Sequence, residues 1–209
     1  MVRIAVFASG SGSNYEAIMQ YFTKLTSPKA EIALLVCDQP GAGVLERAAK
    51  WHTPVLVVER RRFASKKQFE QYILAQLQQY QIDFIALAGY MRLLGPTLLD
   101  HYLGRVINLH PSLLPAFPGI DAVGQALKAG VRVTGVTVHF VDYGMDTGPI
   151  IVQKPVAVEL DDTHNTLSSK IHVVEHELYP KIVYACALGR IYLDGTKVCW
   201  QNPDEAVKE

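Results

Sequence analysis

The chain has 209 residues, and 49% of them are hydrophobic, which is enough to bury a sizeable core and argues against disorder. Its 20 basic and 20 acidic residues balance, which argues against a general nucleic-acid-binding surface, and no apolar run reaches the length of a membrane span. Three widely spaced cysteines form no zinc or redox motif, and the chain opens on an apolar strand-like run rather than a signal peptide, so we expect reduced thiols and a cytoplasmic location.

The first half of the chain alternates strand-like and helix-like segments. The strand-like runs are rich in Val, Ile and Leu, as buried parallel strands are: Arg3–Ala8, Glu31–Cys37, Pro54–Val58, Asp83–Ala88 and Arg105–Asn108. The helical segments between them lie near Asn14–Leu25, Gly43–His52, Ser65–Tyr80 and Pro96–Tyr102. This succession predicts an α/β fold with a doubly wound, mostly parallel sheet and helices on both faces.

The pattern changes after Gly130, where longer segments predict an antiparallel C-terminal extension of the sheet. The segments are two strands at Val131–Phe140 and Pro149–Val158, a helix at Thr163–Leu188 and a hairpin at Arg190–Trp200. We expect Pro180 to kink the long helix. No linker or repeat divides the chain, so residues 1–209 are predicted to form one domain.

The most informative segment is the octet 108–115, Asn-Leu-His-Pro-Ser-Leu-Leu-Pro, which ends the fifth strand-like run. Alternate residues of a strand share a face, so Asn108 and His110 point the same way while Leu109 points into the core. Ligands bind at the carboxyl ends of strands in open α/β sheets, where an amide N–H can stabilise an oxyanion and an imidazole can donate a proton. The alternative is that both side chains only cap loop backbone.

A glycine- and serine-rich loop, Ser-Gly-Ser-Gly-Ser-Asn at residues 9–14, joins the first strand to the first helix. Glycines let the backbone approach a ligand, and N–H groups at a helix N-terminus favour an anion. The loop is neither a Walker loop nor a dinucleotide fingerprint. It predicts a phosphate-binding loop, with a simple turn capped by Asn14 as the alternative.

Two further loops carry candidate ligand contacts. Asp142 and Asp146 lie between the two long strands, where a carboxylate beside an imidazole would favour its protonated form, although aspartates next to glycine usually cap turns. Spacing alone does not bring Asp146 to His110. Met91 and Leu93 follow the fourth strand and are interpreted either as walls for a flat ligand or as ordinary core packing.

A short helical face carries His172, Glu175 and His176, which is too few ligands to predict a metal site. The basic stretches at residues 60–62 and 66–67 read either as solvated surface charge or as a contact for an anion. We therefore expect no metal.

The octet resembles the signature of the formyltransferases that use 10-formyltetrahydrofolate, and the loop at residues 9–14 is similar to that of the branch acting on glycinamide ribonucleotide. The resemblance runs from the first strand to the long helix. It implies formyl transfer from 10-formyltetrahydrofolate, as a co-substrate, to the amine of 5-phosphoribosylglycinamide in purine biosynthesis. The partners expected are small-molecule substrates, with no nucleic acid and no membrane, and the oligomeric state stays open.

The resemblance also implies roles for individual residues. The catalytic set is Asn108, His110 and Asp146. The set that binds the phosphoribosyl substrate is Gly12, Ser13, Asn14, His172, Val173, Val174 and Glu175. The set that binds the folate is Lys66, Met91, Arg92, Leu93, Leu94, Asn108, Asp142, Tyr143, Gly144, Met145 and Asp146.

Three positions qualify these implied roles. Lys66 stands where many relatives have arginine, and lysine lacks the bidentate fork that holds a carboxylate. Asp121 stands where many relatives have histidine, so a role for that histidine is not carried over. His139 is interpreted either as a neighbour of Asp146 or as a buried structural histidine.

Two other functions remain open at this stage. The same Asn, His and Asp would support a hydrolase that passes the formyl group to water, and an α/β fold would also suit a non-catalytic folate- or nucleotide-binding regulator. The phosphate loop argues against the hydrolase, because water needs no ribosyl phosphate site. The complete Asn-His-Asp set argues against the regulator.

Overall fold

The computed structural model describes residues 1–201 of the chain. Its strands are β1 (Val2–Ala8), β2 (Ala30–Cys37), β3 (Val55–Val57), β4 (Phe84–Leu87), β5 (Val106–His110), β6 (Val133–Phe140), β7 (Ile150–Ala157), β8 (Ile191–Asp194) and β9 (Lys197–Trp200). Its α-helices are α1 (Ser13–Lys24), α2 (Gly43–Lys50), α3 (Lys66–Gln79), α4 (Pro96–Tyr102), α5 (Ala122–Ala129) and α6 (His164–Ala187), and a 3₁₀ turn spans Arg60–Arg62.

Seven strands form one sheet in the order β3-β2-β1-β4-β5-β6-β7. The pairs among β3, β2, β1, β4 and β5 are parallel, whereas β6 and β7 are antiparallel to their neighbours. This confirms the predicted mostly parallel sheet with an antiparallel extension. Strand order reverses at β1, whose neighbours are β2 and β4, and ligands bind at such a reversal outside the carboxyl ends of the strands.

Helices cover both faces of the sheet because successive residues of β1 point in opposite directions. Ile4 and Val6 belong to a hydrophobic cluster that includes buried residues of α1, α2, α5 and α6. Ala5 and Phe7 belong to a second cluster with buried residues of α3 and α4. Both faces are therefore buried, as the continuously apolar strand sequences predicted.

The long helix α6 is capped at its N-terminus and hydrogen-bonded to the sheet through Tyr179. Thr163 caps its N-terminus in a capping box with Thr166, and the helix continues as one element past Pro180. The hydroxyl of Tyr179 donates to the carbonyl of Leu87 in β4 at 2.7 Å and lies 3.4 Å from that of Ile107 in β5. These bonds tie α6 to the two strands beside the site.

Some elements differ from the sequence expectations. The patterns did not indicate α5, and β6 begins at Val133 rather than Val131. The C-terminal hairpin, β8 with β9, is confirmed. Residues 202–209 lie outside the described part of the chain, so a single domain over residues 1–209 stays a prediction. Within residues 1–201, no helix combines the length and the hydropathy of a bilayer span.

Candidate active site

A cavity of about 550 Å³ opens beside the carboxyl ends of β4 and β5, between the loops that follow β4 and β6 and the helices α1 and α6. Thirteen of the predicted site residues line it: Asn14, Met91, Arg92, Leu93, Leu94, Asn108, His110, Asp142, Gly144, Met145, Asp146, His172 and Glu175. The three sets expected from the sequence therefore meet in one cavity, although they come from distant parts of the chain.

The strand β5 positions Asn108 and His110. Ile107 and Leu109 pack into the cluster beneath α6, while Val106 packs into the cluster on the other face. Asn108 and His110 continue the face of Val106, as the period of two predicts. His110 is buried and Asn108 is half-buried, so both side chains line the cavity with little access to bulk solvent.

Asp146 reaches both side chains from the loop after β6. Its Oδ1 lies 3.4 Å from Asn108 Nδ2, and its Oδ2 lies 3.4 Å from His110 Nδ1. The Gly119 N–H donates to Oδ2 at 2.8 Å. This is the contact between Asp146 and His110 that spacing alone could not supply.

Asp146 has a pKa below its ordinary value. Burial is the largest single effect and raises the pKa, but it is outweighed by the hydrogen bond from His139, the Gly119 N–H and the charges of His110 and His139. The cavity therefore holds an ionised carboxylate at neutral pH.

The hydrogen bonds of His110 define which of its nitrogens carries a proton. Nε2 lies 2.8 Å from the carbonyl of Phe117, and a carbonyl only accepts, so Nε2 donates. The other nitrogen, Nδ1, faces Asp146 and can donate to it only in the protonated ring. A proton on both nitrogens satisfies both contacts.

His139 is buried and also lies beside Asp146, so both interpretations from the sequence describe its position. Its Nδ1 donates to the carbonyl of Phe140 at 2.8 Å, and its Nε2 lies 3.2 Å from Asn108 Nδ2 and 3.6 Å from Asp146 Oδ1. A buried histidine opposite Asn108 in the neighbouring strand is thus a site residue as well as part of the sheet.

One end of the cavity is formed by α1 and α6. Glu175 is buried, and its Oε2 accepts from Asn14 Nδ2 at 2.9 Å and lies 2.7 Å from His172 Nδ1. The hydrogen bond to Glu175 raises the pKa of His172 against the opposing effect of burial. Asn14 Oδ1 is buried without a hydrogen-bond partner within residues 1–201. Asn14 is therefore not a helix cap, and this end of the cavity presents polar groups.

The loop before α1 approaches α2 closely at Gly12. Gly12 is the N-cap of α1 with a φ of 78°, and a Cβ there would lie 2.5 Å from Val44 Cγ2. The first turn of α1 leaves backbone N–H groups available near Ser13 and Asn14. Gly12 and Ser13 do not line the large cavity; Ser13 opens onto a neighbouring one of about 410 Å³.

The opposite end of the cavity has apolar walls. The side chains of Met91 and Leu93 are 72% and 56% exposed, respectively, whereas Leu94 is buried in the second cluster. Asp142 shapes the facing loop by accepting from Gly144 N at 3.0 Å and from Thr147 Oγ1 at 2.7 Å. These surfaces offer a flat ligand apolar walls and backbone polar groups.

Four other predicted contact residues do not line the cavity. Lys66 Nζ lies 3.7 Å from Glu70 Oε1, and the Tyr143 hydroxyl donates to Asp100 Oδ1 at 2.5 Å. Val173 is exposed, and Val174 packs against the core. Roles for these four residues stay predictions.

Asp121, the departure from the family pattern, caps α5 and bridges to α6. Its Oδ1 accepts from Gly124 N at 3.1 Å and lies 2.9 Å from His164 Nε2. Asp121, His164 and Ser168 all line the cavity, although no motif in the sequence marks His164 or Ser168. Over residues 1–201, no group of three His, Cys, Asp or Glu side chains is arranged to hold a metal ion.

Comparison with known proteins matches residues 2–183 to the Formyl transferase family. A phosphoribosylglycinamide formyltransferase from Bacillus subtilis is 55% identical over 185 residues, which cover 88% of this chain and 93% of the relative. A human trifunctional purine biosynthetic protein, adenosine-3, is 36% identical over 95% of this chain, which spans 20% of that longer protein.

Solved structures agree with this match. The glycinamide ribonucleotide transformylase 1 of Symbiobacterium toebii superposes with a TM-score of 0.92 at 40% identity, covering 97% of this chain and 95% of that one. The phosphoribosylglycinamide formyltransferase of Bacillus halodurans gives a TM-score of 0.84 at 54% identity, covering 87% of this chain and 93% of that one.

Proposed function

Because this chain belongs to the formyl transferase family, we propose that its cavity transfers a formyl group from 10-formyltetrahydrofolate to the amine of 5-phosphoribosylglycinamide, a step of purine biosynthesis. The observation that carries the proposal is the meeting of Asn108, His110 and Asp146 in one cavity, between a polar end and an apolar end. A transferase needs two ligand subsites on either side of its reacting groups, and this cavity has that layout.

The polar end takes the phosphoribosyl substrate. Glu175 is a buried acceptor that can hold a ribose hydroxyl or an ammonium, and His172 adds a positive charge in its protonated form. The N-terminus of α1 beside Asn14 favours the phosphate. These groups bind a part of the acceptor that does not react, and such remote binding positions its amine for attack.

The apolar end takes the folate. Met91, Leu93 and Leu94 wall a flat pterin on one side, and the loop Asp142–Asp146 faces it on the other. The formyl group then lies between the two ends, next to Asn108 and His110. Formyl-folate is a co-substrate in this scheme, and the reaction needs no metal.

The chemistry proceeds by direct attack. The neutral amine adds to the formyl carbon, and the carbonyl oxygen becomes an oxyanion. Asn108 Nδ2 and protonated His110 donate to that oxyanion, which is the charge that develops in the transition state. The 3.4 Å contacts of Asp146 with Asn108 Nδ2 and with His110 Nδ1 are both long for hydrogen bonds, so these two N–H groups are available to a stronger acceptor.

Two proton movements complete the transfer. The attacking nitrogen loses a proton, and N10 of the folate gains one as the C–N10 bond breaks. Asp146 is ionised, so it can accept the proton of the amine, directly or through water, and pass it on to N10 as the C–N10 bond breaks. No protein nucleophile takes part, since Ser112 is fully buried and its hydroxyl donates to the carbonyl of Ala116.

A turnover assay with 10-formyltetrahydrofolate tests the proposal. We expect formyl transfer to 5-phosphoribosylglycinamide, little transfer to glycinamide without its ribosyl phosphate, and slow loss of the formyl group when no amine is present. Equal deformylation with and without the amine would instead identify a hydrolase. Binding of both ligands without turnover would identify a regulator.

We also propose that the protein acts in the cytoplasm with small-molecule substrates alone. The three cysteines, Cys37, Cys186 and Cys199, are all free thiols, which suits a reducing compartment. Fractionation of cells that express the protein tests the location.

A further inference from the structure

Asp38 is a buried carboxylate outside the cavity that neither the sequence patterns nor the family resemblance singled out. It directly follows β2 at the carboxyl end of the sheet, and only 3% of the residue is exposed. It is absent from the cavity lining. A buried charge is costly unless it is paired and hydrogen-bonded, so the partners of Asp38 indicate what it holds in place.

Each carboxylate oxygen of Asp38 holds a different group. Oδ2 accepts from Arg92 Nε at 2.6 Å, and Arg92 lines the cavity. Oδ1 accepts from the Ser9 hydroxyl at 2.5 Å, and that hydroxyl accepts in turn from the Met91 N–H at 2.9 Å. Asp38 thus contacts one residue of the loop after β4 directly and its neighbour through Ser9.

That loop is anchored in the core by Tyr90 and Leu94, which are buried in the second cluster, whereas Met91 and Leu93 between them are largely exposed. Ser9 provides a further backbone anchor, because its own N–H donates to the Gly89 carbonyl at 3.0 Å. Between the two buried residues, polar bonds hold the Met91 amide and the Arg92 guanidinium in place.

We propose that Asp38 is a positioning residue for formyl-folate binding: it fixes the Arg92 guanidinium directly and the Met91 amide through Ser9, without touching either ligand. This inference rests on the proposed function, since it assumes that the loop after β4 binds the folate. It predicts that loss of Asp38 weakens folate binding and leaves the acceptor end, formed by α1 and α6, nearly unchanged.

Two substitutions test the contact of Asp38 with Arg92 and its link to Met91 through Ser9 separately. In Asp38→Asn, the carbonyl oxygen of the new amide can still accept from Ser9. Its N–H₂ group faces Arg92 Nε, which is also a donor, so the bond to Arg92 is lost. In Ser9→Ala, the link to the Met91 amide is lost while Asp38 and Arg92 stay paired. Ser9→Thr keeps the hydroxyl and serves as the conservative rescue.

The measurements are the dissociation constant of tetrahydrofolate by calorimetry, and KM for each substrate with kcat. We expect Asp38→Asn and Ser9→Ala each to weaken folate binding about tenfold, the effect of losing one hydrogen bond to a charged group or one relayed through it. The acceptor KM should change less than twofold, and Ser9→Thr should bind folate like the wild type.

Glu59→Gln is a matched control. Glu59 is also a buried carboxylate near a strand end that pairs with arginines, Arg61 and Arg62, but none of the three lines the cavity. It should lose stability without losing folate affinity. Folate affinities within twofold of the wild type in both test variants, or equal rises in both KM values, would overturn the inference while leaving the proposed function intact. A wild-type protein that binds no tetrahydrofolate would overturn both.

Discussion

Asn108 and His139 are direct partners in the antiparallel ladder between β5 and β6, and their side chains stand on the same face of the sheet. His139 Nε2 lies 3.2 Å from Asn108 Nδ2 and 3.6 Å from Asp146 Oδ1, so His139 is a neighbour of both side chains. Asp146 Oδ1 lies 3.4 Å from the same Nδ2, and a carboxylate only accepts, so the N–H₂ group of Asn108, rather than its carbonyl, faces Asp146. Asp146 thereby orients the group that we propose to stabilise the oxyanion.

Removal of either oxyanion donor should slow the reaction strongly. We expect His110→Ala and Asn108→Ala each to lower kcat by roughly 10²–10⁴-fold, because each loses a donor that acts mainly in the transition state. Circular dichroism should show an intact fold. His101→Ala, on the exposed side of α4, is the control and should keep its turnover. Near-normal rates in both folded variants would remove Asn108 and His110 from the mechanism.

Substitution of His139 should change the titration of Asp146. His139→Leu removes the hydrogen bond that most lowers the pKa of Asp146, while burial, which raises it, remains. The pKa of Asp146 should therefore rise, as ¹³C NMR of its carboxyl carbon can measure. Asp162, whose pKa is held at about 2 chiefly by its hydrogen bond with Lys170, is an internal reference that should not move.

The same shift sets the direction of the stability change with pH. Asp146 has a lower pKa folded than unfolded, so its contribution to stability is complete above the unfolded value, about 3.9, and is lost as pH falls through the folded value. His139→Leu should move that loss to higher pH in denaturation curves. An unchanged acid transition, together with an unchanged carboxyl titration, would contradict the assigned contact.

Loss of the carboxylate at Glu175 should affect the acceptor alone. Glu175→Gln keeps the size of the side chain but weakens its bonds with His172 and Asn14. We expect the KM for 5-phosphoribosylglycinamide to rise by about tenfold or more, as expected for a charge-assisted bond, with the folate KM unchanged. Glu46→Gln, exposed on α2 and outside both cavities, is the matched control. A larger effect on the folate KM would mean that the two ligands have been assigned to the wrong ends.

Acceptor binding should weaken as pH rises, because His172 loses its charge. Its pKa is raised mainly by the hydrogen bond to Glu175, so its charged form is present at low pH and is lost as pH rises through the raised value. The acceptor KM should increase over that range, and in Glu175→Gln the increase should begin at lower pH. His172→Gln should lack this transition, which separates it from the titration of the substrate phosphate. A wild-type profile that His172→Gln leaves unchanged would exclude the role.

Gly12 should be required for a stable fold, independently of any part that it has in phosphate binding. Any side chain there meets Val44, including its Cα at 2.8 Å, and the backbone φ of 78° adds strain. We expect Gly12→Ala to destabilise the protein by about 1–3 kcal/mol and to lower Tm accordingly. Gly10→Ala, with no atom within 4 Å of its Cβ, should have a small effect. Equal Tm values for the two variants would contradict this account.

The sequence predicted the parts of the site that depend on local periodicity. The period of two placed Asn108 and His110 on one face of β5, and the alternation of short strands and helices predicted the parallel sheet. Contacts made across the sheet were beyond that reasoning. The approach of Asp146 to His110 depends on how the loop after β6 folds back, and the pairing of His139 with Asn108 depends on strand register.

Asp38 and α5 illustrate two other limits. An aspartate after a strand reads as an ordinary loop residue, and only the packed structure brings it to Arg92 and Ser9. The helix α5 is short, and its start depends on Asp121 in a left-handed conformation, for which sequence spacing gives little signal. The pairing register of β6 against β5 is the signal that would have shown His139 opposite Asn108.

The hydroxyl of Tyr179 joins α6, which carries His172 and Glu175, to β4 and β5. The acceptor groups on α6 and the reacting groups on β5 are therefore held in fixed relative positions. The folate walls instead include Met91 and Leu93, whose exposed side chains can change rotamer without disturbing the core. Analogues altered in the pterin should therefore be tolerated more readily than analogues altered in the ribosyl phosphate, and inhibitors that vary the folate should find more room for chemical change.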